Sequence, residues 1–313
     1  MTGSFDVVAL GEVLIEVATS EPFGHDVPAT LGVSGDALNT AAAAAAAGAR
    51  VGLVAVLTDD DLGDAIAARV AALGIATDLL RFRPGQQGVY LVHSDPHGER
   101  EFSYARAGSI GSTLGPDDLP ADVLAGTGAV VASGISCAIS ATAREAVRSA
   151  AGLGRRFVYD PNYRPRLTTP ADAGRMLTEL APRCWLVTPS HPGETSALLG
   201  ADTADAAAHR LRELGVQNVA VTCGATGVHL TGPGLETWVD AVRAPSVVDQ
   251  TGAGDAYVGT LTARLVLGDG LLWAARQAAA AASLVVGGRG GTGHVPTLDE
   301  TRAHLTTTRE KAR

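Results

Sequence analysis

Short apolar runs that alternate with longer helical stretches constrain the fold of this chain more than any other feature. The apolar runs have the length of buried strands and lie at residues 7–10, 51–56, 130–132, 157–159, 185–187 and 219–222. The longer stretches predict helices at residues 61–73, 142–151 and 204–214. Strands separated by helices favour an α/β fold with a doubly wound, mostly parallel sheet flanked by helices.

Glycines indicate where the predicted helices end. Gly74, Gly152 and Gly215 follow the last residue of each helical pattern, where a left-handed cap is expected. Alanine runs at residues 41–47 and 278–282 predict closely packed helices. No linker rich in proline, serine or charge divides the chain, so we expect residues 1–313 to form one domain.

One region interrupts the alternation of strands and helices. Residues 88–93 and 101–106 are two alternating runs joined by Ser94-Asp95-Pro96-His97-Gly98, which predicts an antiparallel hairpin. With two N-terminal segments the hairpin predicts a small projecting sheet, formed from about residues 12–17, 29–34 and 88–107. Such a sheet is a candidate lid, because lids exclude water from reacting groups.

Charge and composition limit the expected partners. A net charge of −9 and a pI near 5.3 argue against nucleic acid and anionic membranes, so a small molecule is the expected partner. Residues 1–6 lack a basic signal region, and no apolar run approaches ~20 residues, which predicts a cytoplasmic protein without membrane spans. Three widely spaced cysteines predict buried free thiols in a reducing compartment.

The strongest chemical signal is the segment Asp249-Gln250-Thr251-Gly252-Ala253-Gly254-Asp255. It follows a strand-like pair, Val247-Val248, and precedes a helical stretch. A helix that begins near Gly254 directs free N–H groups at an anion, and small residues let a phosphate approach the backbone. A carboxylate at Asp255, beside that anion, suits a general base for an incoming hydroxyl. The alternative is an acidic residue that complements the helix dipole.

Other nucleotide and metal motifs are not present in the sequence. A Walker loop and a protein kinase each require a lysine, but the single lysine is Lys311, near the C-terminus. Residues 288–293 match G-x-G-x-x-G by letters, yet His294-Val295-Pro296 follows instead of a helix, so we expect a loop. No G-x-S-x-G elbow, H-E-x-x-H helix or cluster of cysteine and histidine appears, so the sequence predicts neither a hydrolase nor a zinc site.

The segment 249–255 resembles the C-terminal signature of the ribokinase-like (PfkB) sugar kinases. Residues 11–16 and 34–41 look like that family's sugar-binding segments, and the resemblance spans about residues 7–296. It implies a ribokinase-like fold, a β-sheet lid and dependence on ATP. It also implies that Asp255 is the catalytic base and that the amides of Gly252, Ala253 and Gly254 form the anion hole.

Within the family the chain is similar to the 2-keto-3-deoxygluconate kinases. The similarity implies a sugar-acid site formed by Glu16, Gly35, Asp36, Asn39, Tyr90, Tyr104, Arg106, Ile135, Arg164 and Asp255. Arg106 would face the substrate carboxylate. A charge-assisted hydrogen bond contributes ~1.5–3 kcal/mol, or roughly a tenfold to hundredfold preference for an acid over a neutral sugar. The alternative for Arg106 is a solvated charge that protects a strand edge.

The nucleotide side of the predicted site departs more from the family pattern. The resemblance implies that the nucleotide binds near Asn162, Arg164, Ser190, Thr222, Gly224, Gly227, Gly252 and Gly254, with Mg²⁺ near Glu194. Ser190 replaces the usual asparagine and Gln250 a common threonine, so Ser190 could instead cap a helix. Glu194 could bind Mg²⁺ through water or only begin a helix, and a requirement for a monovalent cation stays open.

The sequence therefore predicts phosphoryl transfer from MgATP to the primary hydroxyl of a 2-keto-3-deoxy sugar acid such as 2-keto-3-deoxygluconate. One alternative is another acceptor within the family, such as fructose, ribose or a nucleoside. The other is a non-catalytic sensor that binds sugar or nucleotide. The open edges of a lid sheet would suit a homodimer that pairs its lids.

Overall fold

Nine of the fifteen described strands form the central sheet of the protein. The structure is a computed structural model that describes residues 4–94 and 100–311. The strands are Val7–Leu10 (β1), Leu14–Thr19 (β2), Thr30–Ser34 (β3), Val51–Val54 (β4), Val56–Thr58 (β5), Ile75–Ala76 (β6), Arg81–Arg83 (β7), Val89–Ser94 (β8), Arg100–Ala105 (β9), Ala129–Ser133 (β10), Phe157–Asp160 (β11), Cys184–Val187 (β12), Asn218–Thr222 (β13), Val228–Gly232 (β14) and Leu235–Val239 (β15).

Helices connect most of the strands that belong to the central sheet. The α-helices are Asp36–Ala46 (α1), Asp61–Ala72 (α2), Ala121–Gly126 (α3), Gly134–Ile139 (α4), Ala141–Leu153 (α5), Pro170–Leu180 (α6), Gly193–Leu199 (α7), Ala204–Glu213 (α8), Ala253–Val266 (α9), Leu271–Val285 (α10) and Leu298–Lys311 (α11). Short 3₁₀ turns lie at Ile110–Thr113, Pro116–Asp118, Ala181–Arg183 and Gly224–Thr226. Across the described ranges, no helix has the length and apolar character needed to span a bilayer.

The central sheet has the order β15-β14-β13-β12-β11-β10-β1-β4-β6. Its strands are parallel from β13 to β6, and only the edge hairpin β14–β15 is antiparallel. The predicted doubly wound, mostly parallel sheet is confirmed. The apolar run at 51–56 is divided, because β4 joins the central sheet whereas β5 pairs with β7 in a separate ladder.

Buried side chains cover both faces of the central sheet, as expected for parallel strands between helices. Along β1, Val8 and Leu10 pack into one apolar cluster and Val7 and Ala9 into another. This alternation follows from the two-residue period of a strand. The carboxyl ends of the strands are thereby held at one edge of a rigid core, where ligands bind in open α/β sheets.

A second, smaller sheet has the strand order β3-β2-β8-β9. Strands β8 and β9 pair antiparallel with Tyr90 opposite Tyr104, which confirms the predicted hairpin. Strand β2 joins the hairpin to β3, so the N-terminal segments belong to the same sheet. The predicted turn at 95–98 lies outside the described residues.

Two local predictions were wrong. Gly152 was expected to end a helix, but α5 continues to Leu153 and Gly154 follows it in an extended conformation. Gly74 and Gly215 do have the expected left-handed φ. The pair Val247-Val248 was expected to form a strand, yet both residues are exposed, at 63% and 52%. The amide of Val248 donates to the carbonyl of Val286 beyond α10, so this segment leaves the sheet.

Gly259 allows α9 to pack closely against α1. A Cβ atom at this position would lie 2.2 Å from the carbonyl oxygen of Thr40 and 3.0 Å from Cβ of Ala43. Gly259→Ala should therefore lower the free energy of unfolding by about 1–3 kcal/mol, because the helices must separate to accept the methyl group. Urea denaturation measures the change.

Gly152→Ala is the matched control for this prediction. Gly152 is exposed inside α5, and no atom lies within 4 Å of its Cβ position. Because alanine is the better helix former, this change should raise stability by about 0.5–1 kcal/mol. Equal stability of the two variants would contradict the close contact between α1 and α9.

Candidate active site

A cleft of about 710 Å³ lies between the carboxyl ends of the central strands and the small sheet. Most of the predicted site residues line it. These are Gly35, Asp36, Asn39, Tyr90, Tyr104, Arg106, Ile135, Asn162, Arg164, Ser190, Glu194, Thr222, Gly252, Gly254 and Asp255. The fold thus brings together residues from all three thirds of the chain.

Asp255 lies in the first turn of α9 and is held by two amide side chains. Asn39 Nδ2 donates to its Oδ2 at 2.8 Å, and Asn162 Nδ2 donates to its Oδ1 at 3.4 Å. Burial raises the pKa of Asp255 from 3.8 to about 6, and the nearby charge of Asp36 adds to the increase, whereas Asn39 and Arg164 oppose it. At neutral pH Asp255 is therefore an ionised carboxylate with increased basicity.

The backbone around Asp255 leaves amides free that could bind an anion. Gly252 has φ 82°, and a Cβ atom there would lie 2.9 Å from the carbonyl oxygen of Gly291, so only glycine fits this turn. No atom lies within 4 Å of the Cβ position of Gly254, which leaves the approach open. Among the described backbone hydrogen bonds, none uses the amides of Gly254 or Asp255. Free amides at a helix N-terminus bind anions such as phosphate.

Two carboxylates, those of Asp160 and Glu194, lie in the same cleft as these amides. The pKa of Asp160 is raised well above its usual value, chiefly by burial and further by the charges of Glu194 and Asp255. The buried carboxylate of Glu194 accepts hydrogen bonds from the amides of Tyr163, at 2.5 Å, and Ser190, at 2.7 Å. The positive charge near Asp160 and Glu194 does not balance their negative charge. Their carboxylate oxygens are ligands of the kind that Mg²⁺ prefers, so the pair fits this ion.

Arg106 lies on the opposite wall in a fixed position. Its Nη2 atom is 2.9 Å from Oε2 of Glu12, and the two side chains are only 9% and 2% exposed. Ser109 Oγ donates to the other carboxylate oxygen of Glu12 at 2.7 Å. The guanidinium group also lies 5.5 Å from the ring centroid of Tyr104, within range of a cation–π contact. The alternative of a solvated edge charge does not fit this buried environment.

The structure places some predicted residues outside the cleft wall. The carboxylate of Glu16 accepts a hydrogen bond from the hydroxyl of Tyr90 and lines a neighbouring cavity with Asp249, so it reaches the cleft only through Tyr90. Gly224 and Gly227 flank the turn after β13, where a Cβ at Gly227 would lie 2.2 Å from the carbonyl oxygen of Val239. They shape this turn and do not line the cleft.

Two further placements concern backbone positions. Ala253 is the first residue of α9 and contributes only its backbone to the turn, since its amide donates to the carbonyl of Gln250. The alternative role of Ser190 as a helix cap was wrong. Helix α7 begins at Gly193 after Pro192, and no side chain caps it among the described hydrogen bonds. Instead, the amide of Ser190 donates to the carboxylate of Glu194, and the carbonyl of Ser190 accepts a hydrogen bond from the amide of Glu194.

Sequence reasoning did not select several residues that line or support the cleft, among them Asp160, Glu12 and Ser133. Asp160 ends β11 and lines the cleft, and its position at the end of an apolar run could have indicated it. Glu12 and Ser133 support the wall from behind, through the ion pair with Arg106 and a hydrogen bond to the carboxylate of Asp36. Both contacts join residues far apart in sequence, so no local pattern could have revealed them.

Comparison with known proteins shows which family and fold the chain is similar to. The family described as pfkB family carbohydrate kinase matches residues 5–298. The chain is 35% identical over 300 residues to the 2-dehydro-3-deoxygluconokinase of Thermoproteus tenax, covering 94% of this chain and 92% of that protein. The solved structure of a PfkB protein from Polaromonas sp. JS666 has a TM-score of 0.86 and 27% identity, covering 96% and 100% of the two chains.

A more distant structure has a similar fold. The putative ribokinase II from E. coli, solved in complex with ATP and Mg²⁺, has a TM-score of 0.86 and 24% identity and covers 96% of this chain and 99% of its own. The prediction of a ribokinase-like fold is confirmed. Because the family match extends over nearly the whole chain, this protein belongs to the pfkB family of carbohydrate kinases and is a sugar kinase.

Proposed function

We propose that the protein transfers a phosphoryl group from MgATP to the primary hydroxyl of a 2-keto-3-deoxy sugar acid, with 2-keto-3-deoxygluconate as the expected acceptor. The observation that carries the proposal is the position of Asp255, a basic carboxylate that lies directly after an open anion site. The names of the relatives support the acceptor, because 2-dehydro-3-deoxygluconate is the same compound. Membership of a kinase family favours an enzyme over a sensor.

Asp255 is positioned to accept the proton of the attacking hydroxyl. Asn39 and Asn162 orient its carboxylate by donating one hydrogen bond to each oxygen. The amides of Gly254 and Asp255 stabilise negative charge on the phosphoryl oxygens, as backbone donors do in other phosphoryl-transfer sites. MgATP, when bound, supplies the phosphoryl group, and Glu194 and Asp160 are the carboxylates that would hold Mg²⁺.

Arg106 and the aromatic residues of the small sheet form the proposed acid-binding wall. Tyr90 and Tyr104 lie opposite each other on β8 and β9, with ring centroids 5.9 Å apart. Arg106 follows β9 and contributes a fixed positive charge beside them. We propose that this sheet is a lid of a single domain, which covers the acceptor and excludes water. Pairing of two lids in a homodimer remains a prediction.

The acceptor is tested by measuring ADP formation with a panel of sugars and sugar acids. We expect kcat/KM to be highest for 2-keto-3-deoxygluconate and at least about tenfold lower for fructose and ribose, the ratio expected from one charge-assisted hydrogen bond. Higher kcat/KM for a neutral sugar or a nucleoside would replace the proposed acceptor. It would leave the family assignment intact.

The pKa of Asp255 predicts the pH dependence of the reaction. Below a pKa of about 6 the base is protonated, so kcat/KM should fall about tenfold per pH unit, whereas an ordinary aspartate would stay active to about pH 4. Asn39 stabilises the ionised form, so Asn39→Ala should move this decrease to higher pH. Rates measured from pH 4.5 to 8 at saturating ATP check both statements, and a flat profile would contradict them.

A further inference from the structure

A group of ligand-type side chains lies at the edge of the central sheet, outside the cleft wall. Helix α8 packs there against the hairpin β14–β15. Asp205 and His209 lie one turn apart on α8, His229 is on β14 and Glu236 is on β15. The group is therefore assembled from three elements, which explains why the sequence showed no local motif.

His229 is the buried member of this group. Its side chain is only 2% exposed, and its Nδ1 atom has no hydrogen-bond partner among the described residues. Its Nε2 atom lies 3.1 Å from Oδ1 of Asp205 and 3.5 Å from Oε1 of Glu236. The ring of Trp238, centred 5.2 Å away, packs against the imidazole and restricts its orientation. The buried Nε2 atom thus faces two carboxylate oxygens at once, an arrangement of ligand atoms that one metal ion can bridge.

The distances match those between ligands of one metal ion. In a tetrahedral site with bonds of about 2.0–2.1 Å, ligand atoms lie about 3.3–3.4 Å apart. The two measured distances to His229 Nε2, 3.1 and 3.5 Å, bracket that value, and the ligand atoms of Asp205, His229 and Glu236 all lie within 4.8 Å of one another. The two separations at His229 are therefore those that ligands of one ion would have.

We propose that Asp205, His229 and Glu236 bind a divalent transition-metal ion of the zinc class. Imidazole is a ligand that Zn²⁺ prefers, whereas Mg²⁺ and Ca²⁺ favour sites made only of oxygen. His209 is a positioning residue, because its Nε2 atom lies 3.1 Å from the ligating Oε1 of Glu236. Partners of this kind orient a ligand and increase affinity for the metal.

The ion would link α8 to the edge hairpin. Because β14 begins directly after the turn at Gly224–Thr226, this link would also stabilise the strand that follows the turn. A bound ion contacts only the folded chain, so its occupancy should raise the melting temperature. The inference does not depend on the identity of the acceptor sugar.

The test is a zinc titration of tag-free protein that has been treated with EDTA and dialysed, in the absence of nucleotide. Competition with a fluorescent zinc chelator should show one strong site per chain. The double variant Asp205→Asn/Glu236→Gln should bind at least about 100-fold more weakly, and His209→Gln about 10-fold more weakly. Both ligating carboxylates are half exposed, so these variants should fold normally. Co²⁺ should give visible absorption bands with the wild type and not with the double variant.

Two control variants separate this site from other zinc binding. The exposed pair His25–Asp26, with atoms 3.2 Å apart, has the same chemistry without a buried ligand, so His25→Gln/Asp26→Asn should not change the titration. Cys223→Ser tests the partly buried thiol near the hairpin. Zinc should raise the melting temperature of the wild type and of both controls. Absence of a strong site, or unchanged binding by the double variant, would overturn the proposal.

Discussion

Asp255→Asn should lower kcat by about 100-fold to 10,000-fold, because general-base catalysis contributes rate factors of that size. Asparagine retains the shape of the side chain but cannot accept the hydroxyl proton. The backbone amides of Gly254 and Asp255, which form the proposed anion site, are unchanged, so KM for ATP should change little. Steady-state rates with 2-keto-3-deoxygluconate at saturating ATP measure the loss, and a wild-type kcat would disprove the assigned role.

The stability of this variant provides an independent check. In the unfolded chain Asp255 loses its proton near pH 3.8, and in the folded protein near pH 6, so the wild type loses stability as the pH rises between these values. Above pH 6 the ionised, desolvated carboxylate reduces stability by about 3 kcal/mol. Asp255→Asn removes this penalty, so we expect a folded protein whose melting temperature is not lower at pH 7.

Asp269→Asn is a matched control, because it should lower stability and leave kcat unchanged, whereas Asp255→Asn should lower kcat and not stability. Asp269 follows α9 and accepts hydrogen bonds at 2.7 Å from Arg264 Nε and from Gln277 Nε2. These partners, Arg264 first, hold the pKa of Asp269 below its usual value, so its ionised form stabilises the folded protein at neutral pH. Its amide variant should therefore be less stable yet retain wild-type kcat. Loss of activity in both variants would point to damage of α9 as a whole.

Local sequence patterns predicted the turn near Gly252 and the helix after it because both depend on one short segment. Gly252 has the left-handed φ that the turn requires, Gly254 leaves open space beside the backbone, and Asp255 follows in the first turn of the helix. The central strands could also be predicted from short segments, because a buried parallel strand is a continuous apolar run in the sequence. The same logic failed at Val247-Val248, where an apolar pair has no neighbouring strand to join.

Contacts between distant segments could not be predicted from one sequence. Glu12 follows β1 and Arg106 follows β9, and only the folded arrangement of the two sheets brings their charges together. The resemblance to the 2-keto-3-deoxygluconate kinases implied that Glu16 contacts the substrate. In the structure Glu16 lies opposite Tyr90 on the neighbouring strand β8, where its carboxylate accepts a hydrogen bond from the Tyr90 hydroxyl and lines the neighbouring cavity. One intervening side chain thus separates Glu16 from the cleft, and a local sequence pattern does not show such a contact.

Arg106→Gln should lower kcat/KM for the sugar acid by about tenfold to a hundredfold and change kcat/KM for a neutral sugar much less. The reason is that only the sugar acid has a carboxylate that would pair with Arg106, so a neutral acceptor loses no such contact. The comparison within one variant is informative, because a general distortion of the cleft would reduce both values. Equal losses on the acid and the neutral sugar would remove the proposed role of Arg106.

The ion pair with Glu12 requires a second variant. Removing Arg106 alone leaves a buried carboxylate without its partner, and breaking a buried pair typically destabilises a protein by about 3–5 kcal/mol. Burial already raises the pKa of Glu12 despite the attraction of Arg106, so this carboxylate depends on its partner. Glu12→Gln/Arg106→Gln removes both charges together and should restore most of the stability.

The double variant should still discriminate poorly between the acid and the neutral sugar, since it lacks the positive charge of Arg106 just as the single variant Arg106→Gln does. Glu12→Gln alone keeps Arg106 and Ser109 in the wall and should keep the preference for the acid. Melting temperatures and kcat/KM for both acceptors, measured on the three variants, separate the two effects. If the double variant regained the preference for the acid along with its stability, the preference would come from the packing of the wall and not from the charge of Arg106.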